Sequence, residues 1–364
     1  MNLHIRLTTA CNAACTYCSC GPDEPVKHAD LPTVDQVISG AEWLLQKTMP
    51  KGAERHQRID LEVLGGEILL LPMDWLEACV RGLQDSISLL AREQTIGSQS
   101  NLIAGPKKIT KLVEIFGTAI GTSTDNVQDY RQLAGSADNY REKNEAGTKL
   151  VADLSQMPGV VWTCTVGNEA QAITEYEIYA AQGRSLTIRE VFQGANDVQG
   201  VDSDAFAEAL IEVWNRWFLQ GTTIVNPLYR TVQAILNTQP VGCPWWRSCA
   251  GDSINMDGNG DIYLCQEMND VGLGKIGNVF RKEWDDQAWN RLALRRARID
   301  RNCLSCDVYD LCQGGCMMDA WSTSGDIYAR PSMCPAWKRM FRTLRQDIDS
   351  RDRQEVIKWI GTLI

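Results

Sequence analysis

Short β-branched runs alternate with amphipathic stretches through the first half of the 364-residue chain. That alternation predicts repeated βα units around a parallel sheet. Residues 3–7 read as the first strand, and residues 34–46 as a helix with Val37, Ile38, Ala41, Leu44 and Leu45 on one face. A second strand over 59–64 ends in Gly65-Gly66-Glu67, and a helix over 75–90 follows it. Residues 95–98, 118–121, 160–166 and 186–191 complete a set of six strands. Residues 193–203 are polar and glycine-rich, a linker by composition. Phe206, Leu210, Val213, Trp214 and Trp217 then recur at helical spacing, an aromatic stripe that reads as core bridging to a second domain. Near the end, Met340, Phe341, Leu344 and Ile348 mark one face of an arginine-rich surface helix. The apolar tail 357–364 suits docking on the first domain or meeting a partner.

In βα barrels the active site lies at the C-terminal ends of the strands. The loop after the first strand, Gly65–Glu67, Ser98 with Gln99, and Ser123 with Asp125 all fall there. They are expected to converge on one rim.

Composition narrows the classes. At 44% apolar and 23% charged, the chain is an ordinary globular protein, long enough for two domains. No stretch approaches the apolar length of a membrane helix, so no membrane partner is expected. The net charge of −10 disfavours a nucleic-acid partner and suits a basic peptide. Fourteen cysteines against three histidines (His4, His28, His56) change the picture most. That usage favours clustered iron or zinc in a reducing, cytoplasmic setting and excludes His-rich centres. Four cysteines lie by Cys20 and eight from Cys243 onward; Cys79 and Cys164, between them, read as small buried hydrophobes.

The first group holds Cys11-Asn-Ala-Ala-Cys15-Thr-Tyr-Cys18 directly after a strand. A zinc knuckle would want paired spacing, and a disulfide framework a secreted context. Three thiolates leave one iron of a four-iron cluster open. This C-x3-C-x2-C run resembles the signature loop of the radical S-adenosylmethionine (SAM) enzymes. The resemblance implies an α/β fold, a partial (β/α)6 barrel, with a [4Fe–4S] cluster on Cys11, Cys15 and Cys18. It also implies SAM on the open iron, an external one-electron reductant, and cleavage of SAM to a 5′-deoxyadenosyl radical. Tyr17 occupies the position of the aromatic that lies against adenine. Gly65-Gly66-Glu67 resembles the family's GGE motif, whose backbone and carboxylate hold the SAM amino group. Ser123-Thr-Asp125-Asn126 is similar to its S-x-D-G segment on strand four, with Asn126 in place of glycine; a plain Asx turn is the other reading. Ser98 matches the polar residue of strand three. Cys20 reads as inert or as touching substrate or cluster.

The second group runs Cys243-x5-Cys249, Gly260-x4-Cys265, Cys303-x2-Cys306-x5-Cys312-x3-Cys316 and Cys334. By ligand type alone, Cys303–Cys316 could be a zinc ribbon. The whole series resembles the SPASM extension of radical SAM enzymes, which binds two auxiliary [4Fe–4S] clusters. The resemblance assigns Cys243, Cys249, Cys265 and Cys316 to one cluster and Cys303, Cys306, Cys312 and Cys334 to the other. Three clusters in all are implied. The expected organisation is a barrel over 1–192, a linker with bridging helices over 193–240, a cysteine-rich SPASM domain over 241–337, and a helix and tail over 338–364.

Family members of this type mostly modify ribosomally made peptides, which points to a precursor-peptide maturase forming a crosslink or excising backbone. The auxiliary clusters would take up or relay electrons. In anaerobic sulfatase maturases an Asp follows the G-x4-C cysteine as base; Gln266 stands here, which disfavours formylglycine formation. Glu267 is adjacent, but strand alternation would turn it away. Only two residues precede the first strand, so a separate small leader-recognition protein is expected as partner. Alternatives are a dehydrogenase of a small molecule, or a non-enzymatic electron carrier or metal-binding scaffold in which Tyr17, Glu67 and Asp125 have no purpose. Glu190 and Asp257 are candidates for a substrate base, although surface carboxylates are commonly solvated.

Overall fold

The computed structural model describes residues 1–20, 31–192, 200–237, 242–246 and 249–363. The composition-based linker therefore falls largely outside the described residues. Strands β1 (Asn2–Arg6), β2 (His56–Leu64), β3 (Ala91–Gln99), β4 (Ile120–Ser123), β5 (Gly159–Cys164) and β6 (Leu186–Glu190) lie side by side, all parallel. Helices α1 (Val34–Lys47), α2 (Met73–Leu90), α3 (Pro106–Phe116), α4 (Ala137–Leu154) and α5 (Ala172–Ala181) make the crossovers. All six predicted strands are present, and the sheet stays open rather than closing on itself.

Two extensions lengthen the sheet. A short β7 (Val225–Asn226) joins the β6 edge. At the opposite edge β8 (Ser253–Asp257) pairs parallel to β1, with β9 (Asp261–Tyr263), β10 (Gly277–Asn278) and β11 (Glu283–Trp284) following antiparallel. The result is one eleven-stranded sheet, so the cysteine-rich part is built directly onto the strand that feeds the first cysteine loop.

Alternation along the strands sets two faces. Leu3 and Ile5 of β1, with Ile59, Leu61 and Val63 of β2, are buried against Val37, Leu44, Leu76, Val80 and Leu83 of α1 and α2. Residues of opposite parity, His4 and Arg6, turn to the other, polar side. A second core packs Val160, Trp162, Leu186 and Ile188 against α6 (Ser203–Trp217) and the long helix Cys334–Asp349. The predicted stripe Phe206, Leu210, Val213, Trp214 and Trp217 lies in it, fully buried. Phe206 meets Trp337 edge-on at 5.3 Å, and Trp214 Nε1 donates to Asp347 at 2.8 Å. Met340, Phe341, Leu344 and Ile348 complete this core, while Arg339, Arg342 and Arg345 pair with Glu208, Asp307 and Asp310 outside. The described part of the tail docks: Trp359 packs on Trp217 at 4.7 Å and its Nε1 donates to Gly221 O at 3.1 Å. No helix among the described residues is long and apolar enough to cross a membrane.

Candidate active site

The loop after β1 and the turn after β2 are laced into one unit. Gly66 N donates to Thr8 O and Glu67 N to Ala10 O, each at 2.8 Å. A Cβ on Gly66 would stand 2.4 Å from both Thr9 O and Ala10 O, so only glycine permits this approach. The Glu67 carboxylate is buried and accepts from Leu69 N (2.9 Å), Ser100 Oγ (2.7 Å) and Asn101 N (2.7 Å). Burial raises its pKa, and these three donors act against the rise. Asn101 Nδ2 continues to Asn12 Oδ1 at 2.7 Å, reaching the cysteine loop from the end of β3. Cys11, Cys15 and Cys18 are all half-buried. Burial pushes the Cys11 thiol up to about 11.

The segment after β4 forms the opposite wall. Its backbone pairs with the cysteine loop, Ala14 N donating to Gln132 O and Thr16 N to Tyr130 O, both at 2.8 Å. Tyr17 is buried, with its hydroxyl 3.3 Å from each Asp125 carboxylate oxygen. Arg131 lies over the Tyr17 ring at 5.0 Å, 3.5 Å from Asp125 Oδ1 and 3.9 Å from the Cys15 sulfur. Burial raises the Asp125 pKa and the Arg131 charge opposes it. Gln99 Nε2 donates to Ser123 Oγ at 2.8 Å, whereas the buried Ser98 hydroxyl donates to Val63 O at 2.7 Å. Glu175 of α5 anchors the segment, accepting from Asn126 N (2.8 Å), Asn126 Nδ2 (2.7 Å) and Val127 N (3.2 Å). Arg131, Asn101 and Glu175 carry no sequence signal: two sit in loops without period, and one resembles any helical glutamate.

Below the cysteine loop the open face of the sheet is charged. Arg6 of β1 stands beside Asp257 of β8, its register partner, and donates from Nε to Oδ1 at 2.8 Å. It also pairs with Asp270, whose other oxygen accepts from Ser19 Oγ at 2.6 Å. Cys20 contacts both Arg6 and Asp270 through its sulfur at 3.9 Å. The Gln266 amide, oriented by its partners, accepts from Arg6 Nη1 at 2.6 Å. Asp257 is thus committed to an ion pair. Gln266–Asp270 is not a strand but a short helix starting right after Cys265, so strand alternation does not govern Glu267. Glu267 instead meets Arg189 of β6 at 2.7 Å. Burial works to raise the Glu267 pKa, but the guanidinium outweighs it and holds the carboxyl below its usual value. Glu190, next to Arg189, has its pKa raised by burial.

None of the fourteen cysteines is joined in a disulfide. Cys79 and Cys164 are buried in the two apolar cores. Of the later cysteines, Cys249, Cys265 and Cys316 pack against the first apolar core, and Cys306 and Cys312 against the second. Among the described residues no three His, Cys, Asp or Glu side chains stand at ligand spacing around a single metal ion. An iron–sulfur cube asks for wider separation, because each thiolate binds a different iron.

No family model matches the chain. The serine-type anaerobic sulfatase-maturating enzyme of Klebsiella aerogenes is 24% identical over 328 residues, 84% of this chain and 77% of that protein. Its Klebsiella pneumoniae namesake is 22% identical over 335 residues, 84% and 79%. Among solved structures, native anSMEcpe with bound AdoMet matches with a TM-score of 0.73 and 16% identity, covering 96% of this chain and 98% of its own. The chain has the fold of the radical SAM enzymes of the SPASM type. Native anSMEcpe with bound AdoMet and Cp18Cys peptide gives the same TM-score of 0.73 at 15% identity, with 96% and 99% covered. Streptococcus suis SuiB matches at 0.63 and 14% identity, covering 92% of this chain and 77% of its own.

The radical SAM fold implies SAM and [4Fe–4S] chemistry, and the residues fit it. A three-thiol loop at the strand ends lies beside a glycine turn with no room for side chains. No thiol is locked in a disulfide, and the late cysteines lie against two different cores.

Proposed function

We propose that this protein is a radical SAM maturase acting on a peptide, with one SAM-binding cluster and two auxiliary clusters. Cys11, Cys15 and Cys18 would hold the first cluster. Gly65, Gly66 and Glu67 with Tyr17, Ser98, Ser123 and Asp125 would line the SAM pocket. Once loaded, this site supplies a 5′-deoxyadenosyl radical for hydrogen abstraction. The observation that carries the reading is the hydrogen-bonded unit of cysteine loop and glycine turn, placed at the strand ends. Glu67 serves there by tying the turn after β2 to the end of β3, since its oxygens accept from Leu69, Ser100 and Asn101. Cys243, Cys249, Cys265 and Cys316, and separately Cys303, Cys306, Cys312 and Cys334, would hold the auxiliary clusters. These would accept the electron released when the substrate radical closes a new bond. Crosslink formation and backbone excision are the favoured outcomes. A small recognition protein and an external one-electron reductant complete the system.

Peptide substrates are supported by the solved relative with bound Cp18Cys peptide. A second reading, side-chain oxidation of the sulfatase-maturase kind, is favoured by the Klebsiella relatives and by Glu267. The sequence gives Gln266 where the expected base should stand, yet the short helix sets an ionised carboxylate one residue later. Anaerobic co-expression with a short peptide encoded beside the gene, followed by intact mass, tests both. Loss of about two hydrogens without aldehyde reactivity toward a hydrazide indicates a crosslink, and loss of a residue fragment indicates excision. A hydrazide-reactive product indicates side-chain oxidation. An untouched peptide and no consumed SAM would sink the proposal.

A further inference from the structure

We propose that Arg295 is a charge-positioning residue for the two late four-cysteine sets, a fixed cation between them that favours their more reduced state. The proposal rests on the reading that both sets carry [4Fe–4S] clusters. Arg295 sits in the 3-10 turn Leu294–Arg296 after the helix Asp286–Ala293, and it is 1% exposed. Its Nη1 donates to Ile327 O at 2.6 Å and Ala329 O at 2.9 Å, and its Nη2 to Gly314 O at 2.9 Å. Its Nε has no hydrogen-bond partner.

Gly314 stands between Cys312 of one set and Cys316 of the other, so the Nη2 bond to its carbonyl pins the guanidinium to the segment that joins both sets. Burying a cation among backbone carbonyls without an adjacent carboxylate is costly. Protonated thiols would offer such a cation no compensation. Thiolates around iron do compensate. A four-iron cluster on four thiolates is anionic in both redox states and gains one negative charge on reduction. A neighbouring fixed cation therefore stabilises the reduced form more and raises the reduction potential.

The test uses the full chain reconstituted anaerobically, with iron counting and a redox titration followed by electron paramagnetic resonance. The wild type is expected to bind about twelve iron atoms, and a variant with Cys11, Cys15 and Cys18 changed to Ala about eight. In that background R295Q is expected to retain its iron and shift the auxiliary signals to lower potential. R295K should titrate close to the parent. If R295Q loses iron while R295K keeps it at the parent's potential, charge is what the sets require, and the assignment stands. Unchanged potentials in R295Q, or iron loss from both variants, overturn it. A wild type that binds only about four irons overturns the cluster reading itself, an outcome visible before any Arg295 variant is measured.

Discussion

A side chain at Gly66 would have to occupy space held by the backbone of the cysteine loop, where Thr9 O and Ala10 O lie 2.4 Å from the Cβ position. Neither oxygen can move without displacing Cys11. Gly66→Ala is therefore expected to shift the loop by a fraction of an ångström or more and to lower SAM cleavage on the order of 100-fold. Formation of 5′-deoxyadenosine by the reduced, reconstituted variant measures this, and wild-type turnover would contradict it. The glycine pair and the three cysteines were legible because their spacing is tied to backbone geometry and ligand count. Arg131 was not. It belongs to a loop with no hydrophobic period, and the backbone pairings of Thr16 with Tyr130 and Ala14 with Gln132 bring it over Tyr17 and beside Cys15.

Among elements, the segment after β4 depends on one buried carboxylate. Glu175 accepts three hydrogen bonds from Asn126 and Val127, upstream of the residues that pair with the cysteine loop. Burial raises its pKa above the usual 4.5. The folded chain thus holds this proton more tightly than the unfolded chain does. Stability assigned to Glu175 is greatest below the unfolded pKa and falls as pH rises toward the folded one. The thermal midpoint of wild type relative to E175Q is expected to decline as pH rises from about 4 to 7. A relative gain over that range would contradict the account. Elements read from period alone, the six strands and the aromatic stripe of α6, matched well because alternation and helical spacing report burial directly. Gln266–Asp270 was misread because five residues after a hairpin carry too little periodicity to separate helix from strand, and that error hid the pairing of Glu267 with Arg189.

In the whole molecule, one open sheet joins the first cysteine loop to the late cysteines through β8, which lies directly against β1. That adjacency was invisible in the sequence, since about 250 residues separate the two strands and no local pattern specifies a partner so distant. The pairing explains why Arg6 and Asp257 meet and why Asp270 reaches Ser19 beneath the loop. Cys11, Cys15 and Cys18 are proposed to support reductive cleavage of SAM. The most direct measurement is 5′-deoxyadenosine formed from SAM by the anaerobically reconstituted, dithionite-reduced chain, compared with the variant in which these three cysteines are Ala. Steady 5′-deoxyadenosine is expected from the wild type and none from the variant, which keeps its remaining iron. Equal product from both, or none from a wild type carrying its full iron, would contradict it.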